Sequence, residues 1–126
     1  MTTRLYPHDD FEATIRIYSP DERGRKIPAH NAIRWDFSYA DDPAHTLYMI
    51  WPDFCRPDGD SYSKEELLPV GVPLRARMVI LNTALRAAVH ASRLAPGVRF
   101  FCHEGPLRVA EGVVTQVTGL PHPPAG

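Results

Sequence analysis

A glycine in the middle of a long apolar strand constrains this chain more than any other feature. The stretch from Val98 to Val117 reads as two strands: Val98-Arg99-Phe100-Phe101-Cys102-His103, a tight connection Glu104-Gly105-Pro106, and a second run from Leu107 to Val117. Val98, Phe100 and Cys102 alternate with Arg99 and His103. Leu107, Val109, Val113 and Val117 are expected on one face of the second run, in the period-two pattern of half-buried strands. The pair is a β-hairpin. Gly112 has no side chain to pack, so it implies a bulge, a bend of a curved sheet or a close approach by another backbone. Nothing in the hairpin is a catalytic motif.

The rest of the chain supplies further strands. Phe11, Ala13, Ile15 and Ile17 alternate with Glu12, Thr14, Arg16 and Tyr18, which predicts a strand from Phe11 to Ser19. Pro20-Asp21-Glu22-Arg23-Gly24-Arg25-Lys26 is a charged, turn-rich loop closed by Pro28. Ala32 to Tyr39 resumes strand composition, with Ile33, Trp35, Phe37 and Tyr39 on one side and Arg34, Asp36 and Ser38 on the other. Thr46 to Trp51 is a short apolar strand expected to end at Pro52. The segment from Asp53 to Pro69 is polar and irregular, with a helical turn at Ser63 to Leu68, where Ser63 and Glu66 have capping-box spacing. Val72 to Leu81 is a strand with Leu74, Ala76, Met78 and Ile80 inward and Arg75 and Arg77 outward. Leu85, Ala88, Val89 and Ser92 carry helical spacing within 84–94. Residues 1–10 read as an N-terminal tail or a first edge contact, and 121–126 as a C-terminal tail.

Such a length holds one domain, over 11–120, with a single core. Thirteen prolines, about twice the usual share of about 5%, oppose long helices. Fourteen basic and fifteen acidic side chains leave a net charge of −1, so the chain lacks the overall charge of a nucleic-acid binder and any basic patch must be local. The start, Met1-Thr2-Thr3-Arg4, lacks the apolar run of a secretory signal, and no stretch has the roughly 18 apolar residues of a membrane span. A cytoplasmic protein with Cys55 and Cys102 as reduced thiols is expected.

Phe11-Glu12-Ala13, the Gly24-Arg25-Lys26-Ile27-Pro28 loop, Asn31, Arg34-Trp35-Asp36-Phe37, and the run from Arg99-Phe100 through Glu104-Gly105 to Gly112-Val113-Val114 occur in this order. Together they resemble the C-terminal (third) domain of elongation factor Tu. That family has a Phe-Glu-Ala strand, a Gly-Gly-Arg-His-Thr-Pro loop, an Arg-Pro-Gln-Phe strand and a last hairpin with Arg-Glu-Gly-Gly-Arg followed by Gly-Val-Val. The likeness covers roughly residues 11–39 and 70–119, while about 40–69 and 82–96 are insertions relative to the family. It implies an all-β fold, a six-stranded antiparallel β-barrel with irregular or short helical insertions lying outside the barrel. It also implies binding rather than catalysis. The family's GTPase activity belongs to another domain with a G-x-x-x-x-G-K-[ST] loop, absent from this sequence, so no GTP is expected to bind.

The family's third domain binds the T stem of aminoacyl-tRNA and a nucleotide-exchange factor. By resemblance, its T-stem contacts fall on Arg25, Glu104 and Gly105. Arg23 and Lys26 add local positive charge, although three charges in a loop are as readily a solvated face. Asp36 stands where the family has glutamine and would repel a phosphate, Pro106 replaces a glycine and has no N–H to donate, and Leu107 replaces an arginine.

Other chemistry finds little support in the spacings. Cys102 and His103 are adjacent in a strand, so their side chains point to opposite faces and do not share a metal; Cys102 is expected buried and His103 on the surface. Asp58-Gly59-Asp60 opens like a calcium loop, but Ser63 and Pro69 occupy the positions that need Gly and Glu. Glu65-Glu66 lack a pocket that would make them an acid/base pair. No metal or cofactor is expected. Trp35, Phe37, Tyr39, Tyr48, Trp51 and Phe54 are core aromatics for the most part, with Trp51, Phe54 and Tyr62 as alternatives: a lid over one end of the barrel, or a contact site for a partner. The leading expectation is a non-enzymatic module binding an unknown protein. RNA binding through Arg23, Arg25 and Lys26 is second, and a small enzyme using His103 or Cys102 is third.

Overall fold

The computed structural model of the protein describes residues 3–22 and 24–120. The alternating runs fold as strands: β1 (Phe11–Ile17), β2 (Asp36–Tyr39), β3 (Ile50–Cys55), β4 (Pro73–Ile80), β5 (Arg99–Glu104) and β6 (Leu107–Val117). They pair antiparallel in the order β2-β5-β6-β1-β4-β3. Among the described residues the result is a curled six-stranded sheet, a half-barrel, with one short helix, α1, over 83–93. Among the described residues no helix is long and apolar enough to cross a membrane.

The concave face holds the core. Phe37 and Phe100 stack with centroids 4.6 Å apart, and Phe11 meets both edge-on at 6.0 and 6.4 Å. These rings arrive from β2, β5 and β1, so the aromatic cluster ties together strands distant in sequence. Gly112 lies opposite Phe100 in the β5–β6 pair. A Cβ at this position would stand 2.4 Å from Cζ of Phe100, so the glycine is required by close approach of an aromatic ring.

Several expectations change in the folded chain. Leu107, Val109, Val113 and Val117 do not share a face: Val109 is buried, whereas Leu107, Val113 and Val117 are exposed. β6 carries two extra residues, one where its register with β5 shifts between Cys102 and His103 and one where its register with β1 shifts between Glu12 and Ala13; the first reverses the inward parity, so Ala110 and Val114 point to the core. The second strand begins at Asp36 rather than Ala32, because Ala32 sits at φ 68° in a turn. β3 runs through Pro52 to Cys55; a proline is tolerated there because β3 is at the end of the sheet order and needs no ladder donor on its outer side. The insertion 40–69 therefore supplies one of the six strands and is not wholly outside the sheet. Ser63 to Leu68 is not helical: Glu66 N–H donates to the Ser63 carbonyl at 3.3 Å and the chain turns away.

Arg77 is buried rather than outward. Its Nη2 donates to the Gly59 carbonyl, so the Asp58-Gly59 turn folds over this face of β4. Asp10 extends the pairing of β1 with β4: its N–H donates to Met78 O at 2.8 Å, and its carboxylate accepts from Ile80 N–H at 2.8 Å and from Arg86 Nη2 at 2.7 Å. The helix expected over 84–94 forms one residue earlier, with a wider π-type turn at Arg86–His90. It carries the fully buried His90, whose Nδ1 lies 2.7 Å from Tyr39 Oη. The tail 121–126 is outside the described residues. Cys55 and Cys102 are both free and buried.

The ends of the sheet order also approach each other. Phe37 N–H donates to Tyr48 O at 2.9 Å and Tyr48 N–H donates to Phe37 O at 2.8 Å, two residues before β3 begins.

Candidate functional site

The loop after β1 turns at Pro20–Glu22 and folds back on itself, with Gly24 N–H donating to Ser19 O at 3.1 Å. A Cβ on Gly24 would stand 2.4 Å from the Tyr18 carbonyl oxygen, so only glycine lets the loop return this closely. This return delivers Arg25 to the end of β5, where its Nε lies 2.7 Å from Glu104 Oε2. Trp35 Nε1–H donates to the same carboxylate oxygen at 2.8 Å. Gly105 follows with φ 55°, the positive value that the first position of a two-residue type II′ hairpin turn requires, and the ring of Pro106 suits the second.

Arg25, remote in sequence from Glu104 and Gly105, is thus their neighbour in space. Their chemistry differs from a phosphate cradle. The Arg25 guanidinium already faces a carboxylate, and the pair is about neutral. Lys26 lines the same hollow, of about 540 Å³, with Pro20, Gly24, Ile27 and Leu107. Ile27 is 71% exposed and Leu107 41%, so the hollow has apolar walls beside its ion pair. Arg23 lies outside the described residues.

The three aromatic candidates are not brought together as one surface. Phe54 is fully buried and packs edge-on against Trp35 at 6.1 Å, so it belongs to the core rather than to an outer contact. Trp51 is three residues away on the same strand and so faces the other side; it is half-buried beneath the Arg34 guanidinium, 4.9 Å from the ring centroid. Tyr62 is half-buried with Arg56 over its ring at 4.5 Å. Asn31 organises the interior of this region: its Oδ1 accepts from Phe54 N–H at 2.9 Å, and its Nδ2 donates to Tyr62 O at 2.9 Å and Asp53 Oδ1 at 3.1 Å.

Cys102 and His103 point to opposite faces as expected, but His103 is not a surface residue. It is 8% exposed, and its Nε2 lies 2.7 Å from Ser38 Oγ. Burial pushes the Cys102 thiol up to about 12, so it is no nucleophile near neutral pH. Burial first, and then the Arg108 charge, hold His103 below the usual histidine range. Ser38 and His103 would be a nucleophile and a base by distance alone, yet Ser38 is fully buried and offers no room for a substrate carbonyl. The pairing was invisible in the sequence because it depends on β2 lying beside β5, and no local signal specifies that neighbour. Among the described residues no three His, Cys, Asp or Glu side chains converge as metal ligands.

The fold and this surface define a small antiparallel β protein whose distinctive outer features are a charged loop and a hairpin tip joined by an ion pair. No model of a known protein family matches the chain.

Proposed function

We propose that this chain is a non-enzymatic protein-binding module, a curled sheet closed into a small barrel like the third domain of elongation factor Tu. The Phe37–Tyr48 hydrogen bonds at the two ends of the sheet order support closure. The observation that carries the binding reading is the hollow between Ile27 and Leu107, two exposed apolar side chains beside the Arg25–Glu104 pair. Apolar walls with a polar rim suit a protein partner, where burial of aliphatic surface supplies affinity and the charges set orientation. The resemblance also suggested RNA at this place. Neutralisation of Arg25 by Glu104 counts against it, since phosphate affinity depends on free cations.

The test compares the proteins retained from a cell extract by the wild-type chain and by an Ile27→Asp, Leu107→Asp double variant, with melting temperature as a control for folding. A partner held by the wild type and lost by an equally stable variant is expected. Identical retention by the two overturns the reading. Salt-sensitive tRNA binding that disappears on replacing Arg25 and Lys26 by Ala would put RNA in its place.

A further inference from the structure

A second hollow at the hairpin tip, of about 450 Å³, is lined by His45, Leu47, His103, Gly105, Pro106 and Arg108. All its ionisable lining groups are basic. Arg108 takes part in no ion pair among the described residues, and its guanidinium lies over the Phe101 ring at 3.5 Å. Four carboxylates belong to the surroundings, and two of them, Glu22 and Glu111, line an adjoining hollow that Arg108 also borders. Asp36 stands opposite His103 in the β2–β5 pair and acts on that ring, while Asp42 is held in its own loop by the Ala44 and Thr46 N–H groups at 2.9 and 3.1 Å. The same loop holds His45 at φ 52°, a conformation uncommon outside glycine and one that collects at functional sites.

The orientation of the His103 proton follows from Ser38. His103 Nε2 is the one partner of the buried Ser38 Oγ among the described residues, and only a Ser38 O–H that donates to it leaves the hydroxyl proton paired. Nε2 therefore accepts, and the ring proton sits on Nδ1. Nδ1 has no protein partner among the described residues, and it is not one of the sealed orphan atoms, in contrast to Nε2 of His90. His103, 8% exposed, thus lines a hollow together with a guanidinium that has no carboxylate partner among the described residues and two apolar walls, Leu47 and Pro106.

We propose that this hollow binds a small organic carboxylate. One carboxylate oxygen takes the His103 Nδ1–H, the Arg108 guanidinium faces the other, and the apolar body of the ligand lies between Leu47 and Pro106. One neutral donor and one guanidinium match a single negative charge, whereas a phosphate dianion would call for more cations and keep more water than apolar walls allow. A free short-chain acid and the C-terminus of a peptide share this chemistry.

The experiment is an NMR titration of the full chain with isobutyrate, N-acetyl-leucine and inorganic phosphate at matched ionic strength. Saturable shifts at His103 and Arg108 with either carboxylate are expected, and an Arg108→Gln variant should bind about ten-fold more weakly, the loss typical of one charge-assisted hydrogen bond. Tighter binding of N-acetyl-leucine supports a peptide terminus, and tighter binding of isobutyrate supports a free acid. The histidine nitrogen spectrum of the free protein should show His103 protonated at Nδ1. Phosphate binding as tight as the carboxylates, unchanged affinity in the variant, absence of saturation, or an Nε2-protonated ring would each overturn the proposal.

Discussion

The Phe100 ring lies across the backbone of Gly112, its cross-strand partner, so closely that the ring occupies the place of a side chain. Gly112→Ala should therefore overpack the sheet and cost about 1–3 kcal/mol in urea unfolding. On a Phe100→Leu background, where the ring is gone, the same change should cost distinctly less, because the two positions are coupled by contact. Equal costs on both backgrounds would mean that the glycine serves backbone conformation instead.

The buried His90 should make stability fall in mild acid. Burial first, and the Arg93 charge second, lower its folded-state value to about 4, with Asp10 opposing them. The folded state keeps this ring neutral while the unfolded chain takes up a proton near 6.5, so the contribution is fully present above 6.5 and is lost as pH falls from there to about 4. Its full size is on the order of 3 kcal/mol. His103 is shifted in the same direction and adds to the slope. Melting temperatures between pH 7 and 4.5 should decline in the wild type and decline less in His90→Gln. Parallel profiles would remove His90 as the cause.

Trp51 and Phe54 should separate under substitution. Phe54→Ala empties a fully buried site against Trp35 and should cost about 3–5 kcal/mol. Trp51→Ala removes a half-buried ring and its contact with Arg34, and should cost about 1–2 kcal/mol. Chemical denaturation of the two single variants checks the order. A larger loss at Trp51 would mean that its outer face carries a structural load the burial does not suggest.

Much of this was legible in the chain itself. The alternation Phe11, Ala13, Ile15, Ile17 and the run Leu74, Ala76, Met78, Ile80 name inward faces that the fold preserves, because the period of a strand is a local property. The helix near 84–94 and the hairpin turn at Gly105 follow from equally local preferences. The tertiary structure alone decided the rest. The first of the two extra residues in β6 reversed the faces of Val113 and Val114, and parity carries no mark of where a bulge will fall. Strand pairing put Ser38 against His103, and the return of the loop at Gly24 put Arg25 against Glu104. These contacts join residues separated by most of the chain, and which strand lies beside which is set by the shared core of Phe11, Phe37 and Phe100, not by any segment's own pattern.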